Sequence, residues 1–99
     1  MLLDRFVKYL KNERQYSEHT VKSYSQDLVQ FLSILRISQN NVHDINIEHV
    51  RNWIIALKNK NFNSKTINRK ISSLKTFFGF CQREGVINFN PVLKIKNLK

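Results

Sequence analysis

Glycine, proline and cysteine are nearly absent from this 99-residue chain, which has two glycines, one proline and one cysteine, Cys81. Turn pairs such as Asn-Gly do not occur, which argues against a fold built from β-hairpins. A single cysteine cannot form an internal disulfide, and the chain is therefore suited to a reducing cytoplasm. Together these absences favour a helical, cytoplasmic protein.

Long apolar runs are also absent. The apolar stretches are far shorter than the roughly 20 residues of a membrane-spanning helix, and the first residues lack the order of a secretory signal. Hydrophobic residues nevertheless make up 41% of the chain and aromatic residues 11%, which argues against disorder. We therefore expect one cytoplasmic domain with a modest core and no membrane partner.

Acidic residues are few and unevenly distributed. The chain has 17 lysines and arginines against 7 aspartates and glutamates, which gives a net charge of +10. Residues 1–60 hold 9 basic and 6 acidic residues, whereas residues 61–99 hold 8 basic residues and one acid, Glu84. Positive charge concentrated in this way predicts a nucleic acid as the partner, with an anionic membrane as the competing interpretation.

Apolar residues recur at helical spacing in four segments. Serine or asparagine precedes three of these segments in an N-cap position, and a glycine follows the last one. The expected helices are residues 2–14, Ser17 (N-cap) to about Arg36, Asn46 (N-cap) to about Asn59, and Ser64 (N-cap) to Gly85, with a polar loop at 38–44.

The C-terminal residues carry different signals. Residues 86–89 are expected to be extended, and Asn90-Pro91 can open a short final turn because proline suits a first helical position. Residues 94–99 are basic and have no expected core role. The sequence therefore predicts a compact all-α bundle of four main helices over residues 1–93, with room for a short fifth C-terminal helix, followed by a basic linker.

The fourth predicted helix is apolar on one side only. Phe77 and Phe80 are expected to pack beneath Ile87 and Phe89, and the expected inner stripe is Ile67, Ile71, Leu74, Phe78 and Cys81. The opposite side has no acid and carries Lys65, Thr66, Asn68, Arg69, Ser72, Ser73 and Lys75. An ordinary solvated face, the alternative interpretation, mixes glutamate with lysine, whereas this set suits phosphates and base edges.

The second predicted helix has a comparable polar face, made of His19, Thr20, Lys22, Ser23, Gln26 and Gln30. Small hydroxyl groups near a helix start can donate to phosphate, with help from the helix dipole. Two such helices, crossing at an angle, could flank one face of a duplex groove.

No catalytic or metal-binding pattern is recognisable. The three histidines, at positions 19, 43 and 49, lack the spacing of metal ligands. Cys81 has no implied partner base and is expected to act as a small buried hydrophobe. We therefore expect no metal, no cofactor and no catalysis by this chain alone.

A longer pattern runs through both halves of the chain. Its first half is Phe6, Tyr9, Leu10, Tyr16-Ser17, Thr20, Tyr24, Asp27-Leu28 and Phe31. Its second half is Val50, Ile54, Leu57, Ser64, Thr66-Ile67, Arg69, Ile71-Ser72, Leu74-Lys75, Phe77-Phe78, Phe80, Gly85 and Asn90-Pro91. This order and spacing resemble the N-terminal core-binding domain of tyrosine recombinases, the phage integrase and Xer-type enzymes.

Two positions depart from that family. Arginine is common where this chain has Lys75, and glycine is common where it has Tyr16. Lysine still binds phosphate as a point charge but lacks the bidentate geometry of arginine.

The resemblance implies a SAM-like, all-helical domain that binds double-stranded DNA. Such a domain would form one half of a clamp, with its second and fourth helices in the major groove, and would meet other recombinase protomers in a full-length protein. Members of the family cleave DNA with a tyrosine in a separate C-terminal domain, and none of those catalytic residues can be placed on this chain. The resemblance thus implies DNA binding in recombination or integration without enzymatic activity here.

The candidate DNA-binding residues follow from this resemblance. On the second helix, Thr20, Lys22 and Ser23 are expected to approach phosphates. On the fourth helix the candidates are Lys65, Thr66, Asn68, Arg69, Ser72 and Lys75. Arg69 is the best candidate for a guanine edge and Asn68 for an adenine edge, whereas the lysines position the domain.

Two other functions are compatible with the sequence. The chain could be a stand-alone helical regulator of the helix-turn-helix type, although its fourth helix is longer than a usual recognition helix. It could also be a basic amphipathic module that binds a protein or a membrane surface, although such a module would carry bulky apolar residues beside its cations.

Overall fold

Four α-helices and one 3₁₀ helix make up the computed structural model, which describes residues 2–98 and leaves Met1 and Lys99 outside the described range. The helices are α1 (Leu2–Asn12), α2 (Glu18–Leu35), a 3₁₀ helix (Gln39–Asp44), α3 (Ile47–Asn59) and α4 (Ser64–Arg83). No β-strand occurs among the described residues. The all-α bundle is confirmed, because the four main helices lie where the hydrophobic spacing predicts them.

Side chains cap the helix starts. Ser17 caps α2 and Asn46 caps α3, both as predicted, and each accepts a hydrogen bond from the amide three residues further on. The start of α4 differs by one position. Asn63 Oδ1 accepts from the Thr66 amide, and Ser64, the expected cap, is the first helical residue. Asparagine is as good an N-cap as serine, so the earlier residue takes the role.

The joint between α1 and α2 shows how Tyr16 fits a position where the family that the sequence resembles often has glycine. Gln15, with φ of 53°, adopts the left-handed conformation, and Tyr16 does not. Glycine is needed only where the backbone enters that region. Tyr16 therefore occupies the joint without backbone strain.

The inner side of α4 lies at the centre of the core, as its apolar spacing predicts. All five residues of the expected stripe are buried: Ile67, Ile71, Leu74, Phe78 and Cys81. Phe31 of α2 lies edge-on to Trp53 of α3, with ring centroids 5.1 Å apart, and 6.2 Å from the Phe78 ring of α4. Edge-to-face pairs add about 0.5–1.5 kcal/mol beyond the burial of area. The Phe31 ring therefore connects α2 to both α3 and α4.

Phe77 and Phe80 pack against α1, a contact that the sequence analysis did not predict, and the expectation that Phe89 covers them was wrong. The Phe6 ring lies edge-on to Phe77 at 5.1 Å between centroids and lies 5.6 Å from Phe80. Phe89, one of the two expected covers, is 55% exposed. The apolar stripe of α1 must itself be buried, and it covers this side of α4 first.

The chain after α4 has no regular secondary structure. Residues 91–94, where the sequence left room for a short fifth helix, form a hydrogen-bonded turn. The fifth helix among the described residues is the 3₁₀ helix, Gln39–Asp44. Ile95 is buried in the core and Leu98 packs against it. The expectation that residues 94–99 have no core role was therefore wrong for these two residues. That the segment links to a further domain stays a prediction.

Cys81 provides a test of the core. Burial raises the pKa of its thiol from 9.0 to about 12, and the thiolate is the reactive form. We expect no reaction of the folded protein with a thiol reagent at pH 8 and full reaction in urea, measured by absorbance. If the Cys81 thiol of the folded protein reacted as fast as that of the urea-unfolded chain, the burial of this side chain would be contradicted.

The raised pKa of Cys81 also makes stability depend on pH. The unfolded chain releases the thiol proton above about pH 9 whereas the folded chain retains it, so the free energy of unfolding should fall as pH rises from 9 towards 12.

Candidate nucleic-acid interface

A buried charge cluster joins α2 to α4. Asp27, which is 2% exposed, accepts at Oδ1 from Arg69 Nη2 (2.8 Å) and Lys70 Nζ (3.0 Å) and at Oδ2 from Ser73 Oγ (2.7 Å). Lys70, 6% exposed, also donates to Gln30 Oε1 at 2.7 Å. We call these five residues the Asp27 cluster. Three donors on one buried carboxylate fix the register of the two helices, because any slip would leave buried charges unpaired.

The cluster corrects the sequence interpretation of α4. Ser73, expected on the exposed side, is 0% exposed because its hydroxyl bonds to Asp27. Lys70 was not among the candidates and is buried. The available signal was Asp27 itself, a single acid between the apolar residues Tyr24, Leu28 and Phe31, since a buried carboxylate needs cationic or hydrogen-bonding partners.

The opposite flank of α4 is covered by the C-terminal segment. Asn68 Nδ2 donates to the Leu98 carbonyl at 2.9 Å, and the Leu98 amide donates to Asn68 Oδ1 at 2.7 Å. Further along, Asn90 Nδ2 donates to the Lys75 carbonyl at 3.2 Å. Both sides of the Asn68 carboxamide are thus engaged by backbone. Its role at an adenine edge stays a prediction, and contact with a base would require release of Leu98.

Between these two flanks, α4 presents one outward strip. Lys65, Arg69, Ser72 and Thr76 follow one another at helical spacing and share a face, which we call the α4 strip. Lys65 and Arg69 are exposed, and Ser72 and Thr76 are half-buried. Thr76 was not among the sequence candidates. Two of the candidates, Thr66 and Lys75, are half-buried outside this strip.

The α2 candidates divide between two faces. Thr20 and Ser23 precede Asp27 by seven and four residues, and so they lie on the side of α2 that meets α4. Lys22 is exposed but five residues from Asp27, which places it on a different face. Helix geometry therefore places Thr20 and Ser23 on the Asp27 side of α2 and Lys22 on a different side.

Positive charge on this surface is only partly neutralised. Arg69 keeps a 47% exposed side chain although one of its nitrogens pairs with Asp27. Within the described residues, Lys65 and Lys75 take part in no ion pair. The acids Glu13, Glu48 and Glu84 each pair with an arginine that does not belong to the α4 strip. The four residues of the strip include no acid, so the strip itself can attract a phosphate.

Neither a metal site nor a bilayer-spanning helix is found in residues 2–98. In that part of the chain, no three His, Cys, Asp or Glu side chains lie close enough to share a metal ion. None of its helices combines the length and hydropathy required to span a bilayer.

Comparison with known proteins gives a consistent family. Residues 3–85 match the family model described as phage integrase, N-terminal SAM-like domain. The chain is 40% identical over 96 residues to tyrosine recombinase XerC of Listeria innocua, covering 96% of this chain and 32% of that protein. It is 36% identical to XerC of Staphylococcus haemolyticus, covering 95% and 32% of the two chains. It is 35% identical to tyrosine recombinase XerD of Rickettsia prowazekii, covering 92% and 29%.

The chain spans about a third of the length of these relatives. No solved structure gave a significant match. The family model covers most of the chain, and these relatives, all tyrosine recombinases by name, match it over more than nine tenths of its length. The chain belongs to the family of phage integrase N-terminal SAM-like domains.

Proposed function

We propose that this chain is the DNA-binding, core-binding domain of a tyrosine recombinase that acts in site-specific recombination or DNA integration. The observation that carries the proposal is the α4 strip, whose four residues supply cations and hydroxyl groups and include no acid. Thr20 and Ser23 lie on the side of α2 that meets α4. The names of the XerC and XerD relatives support the same function. The domain would act in the cytoplasm, without a cofactor and without catalysis of its own.

The duplex would contact α2 and α4 through its major groove. A major groove about 12 Å wide admits a helix, and the Asp27 cluster holds the two helices as one surface. In a full-length recombinase, the catalytic domain would lie on the opposite side of the duplex. Other recombinase protomers would then assemble around the paired DNA sites.

The proposed contacts follow from the chemistry of each side chain. Lys22, Lys65 and Lys75 would bind phosphates, with hydroxyl donors from Thr20, Ser23, Thr66 and Ser72 beside them. Arg69 would read guanine, because pairing with Asp27 uses one nitrogen and leaves other N–H groups of its fork free. Asn68 would contact adenine only after its two hydrogen bonds to the Leu98 backbone are broken.

A salt titration tests this proposal. If the domain neutralises about four phosphates, log K should fall with log salt at a slope of about −3.6. Fluorescence anisotropy with a labelled duplex measures this slope, and the affinity at physiological salt should be about micromolar or weaker. A slope near zero would contradict the proposed surface.

Chemical-shift mapping with the same duplex locates the surface. Amide shifts are expected on the α4 strip and at Thr20 and Ser23, and none on α3. Shifts confined to another face would refute the assignment. Flotation with anionic vesicles in the absence of any duplex binding would favour the membrane-module alternative, and binding as a dimer to a palindrome would favour the stand-alone regulator.

A further inference from the structure

Arg14 follows α1, and its guanidinium is held by tyrosine hydroxyls. Nη2 donates to Tyr16 Oη at 2.6 Å, and Nη1 lies 3.5 Å from Tyr9 Oη. The backbone on either side is also tied to α1. The Arg14 amide donates to the Tyr9 carbonyl at 3.1 Å and the Tyr16 amide to the Leu10 carbonyl at 3.0 Å. The side chain therefore leaves a fixed backbone and ends in a fixed orientation.

The neutral partners distinguish Arg14 from most other arginines of the chain. Those paired with a carboxylate are Arg5 with Glu84, Arg51 with Glu48, Arg69 with Asp27 and Arg83 with Glu13. In the part of the chain that the structure describes, Arg14 has no acidic partner. An exposed guanidinium oriented by hydroxyls keeps its full charge and free N–H donors, which suits an anion from outside the protein.

Two tyrosines connect Arg14 to the proposed DNA surface. The Tyr16 and Tyr24 rings meet edge-on, with centroids 5.7 Å apart. Burial raises the pKa of Tyr24, and the Arg14 and Arg69 guanidiniums both lie near enough to oppose that shift. Arg14 is therefore linked to Tyr24 of α2 through Tyr16.

The first turn of α2 makes a second connection. Ser17 follows Tyr16 in the chain, and its Oγ donates to Thr20 Oγ1 at 3.1 Å. Thr20 shares with Asp27 the side of α2 that meets α4, so Arg14 lies beside the start of that side.

We propose that Arg14 is a further DNA-binding residue, which binds a backbone phosphate beside the start of α2, and that Tyr16 is the positioning residue that orients its guanidinium. The planar fork of arginine binds phosphate oxygens through two parallel hydrogen bonds. A phosphate is the ligand because contacts at the edge of a DNA interface go mainly to the backbone. The inference rests on the proposed function.

Arg14→Gln and Arg51→Gln form a matched pair for the test. Both remove one exposed arginine charge, but Arg51 lies on α3. With a fixed duplex over a salt series, Arg14→Gln should bind about fivefold more weakly and its salt slope should be smaller by about 0.9, the value for one phosphate contact. Arg51→Gln should match the parent chain. Equal losses in the two variants would overturn the inference, because they would reflect net charge alone.

A double-mutant cycle tests the role of Tyr16. Tyr16→Phe removes only the hydroxyl and should weaken binding about twofold in the parent chain and not at all in the Arg14→Gln background. If the losses of affinity caused by Tyr16→Phe and Arg14→Gln were fully additive in the double variant, the positioning role of Tyr16 would be overturned. Absence of salt-dependent binding by the parent chain would refute the proposed function itself, whereas parent binding with an unaffected Arg14→Gln variant would refute only this inference.

Discussion

Replacement of Asp27 by alanine is expected to destabilise the fold by about 3–5 kcal/mol, because it leaves the Lys70 ammonium buried without its counter-charge. Lys70 would keep only Gln30 as a hydrogen-bonding partner, and the buried Ser73 hydroxyl would lose its acceptor on α2. Urea unfolding followed by fluorescence of Trp53, the single tryptophan, measures the free energy of unfolding. Trp53 is fully buried beside Phe31 and reports on the core directly.

A matched control comes from an exposed ion pair. Arg51 Nη1 lies 2.6 Å from Glu48 Oε1, and the side chains of Glu48 and Arg51 are 65% and 55% exposed. Glu48→Ala should therefore lower the free energy of unfolding by less than about 1 kcal/mol. A second variant separates buried charge from lost volume: Asp27→Leu with Lys70→Met removes both buried charges and should recover much of the stability. Equal effects of Asp27→Ala and Glu48→Ala would show that the cluster contributes no more than a surface pair.

Charge reversal at Lys65 and Lys75 should weaken duplex binding about hundredfold, since two of the proposed phosphate contacts would become repulsive. Stability should change little, because neither lysine takes part in an ion pair within the described residues. Arg69 is unsuitable for this purpose, since reversing its charge would place a carboxylate beside Asp27 and disturb the fold. Anisotropy titration measures the affinity, and the helical circular dichroism signal checks that the variant folds.

The control for this variant is Lys58→Glu with Lys60→Glu, at the C-terminal end of α3. Both lysines are exposed, and the net charge changes by the same amount. The long-range field is therefore matched, and only the position of the charges differs. Binding by the α3 variant should fall much less. If both double variants lose affinity equally, DNA does not contact α4 in the proposed way.

The candidate surface was only partly predictable from the sequence. Helical spacing identified Lys65, Arg69 and Ser72 as residues of one outward face, because positions three, four and seven apart share a side of any α-helix. The same rule failed for Ser73, which is next to Ser72 but faces α2. Which neighbour covers each edge of a helix depends on residues far away in the chain, here Asp27, and local spacing carries no information about it.

The amino-acid sequence alone determined the number, type and approximate ends of the main helices, because N-caps, apolar periodicity and the glycine after α4 act within a few residues. It also determined the excess of positive charge near the C-terminal end. Only the tertiary structure decided which of those charges are available. Contacts between distant segments bury Lys70, pair Arg69 with Asp27, engage Asn68 with Leu98, and leave Lys65 and Lys75 without an acidic partner in residues 2–98. A buried charge requires a partner that another helix supplies, and the approach of that helix is settled when the whole core packs.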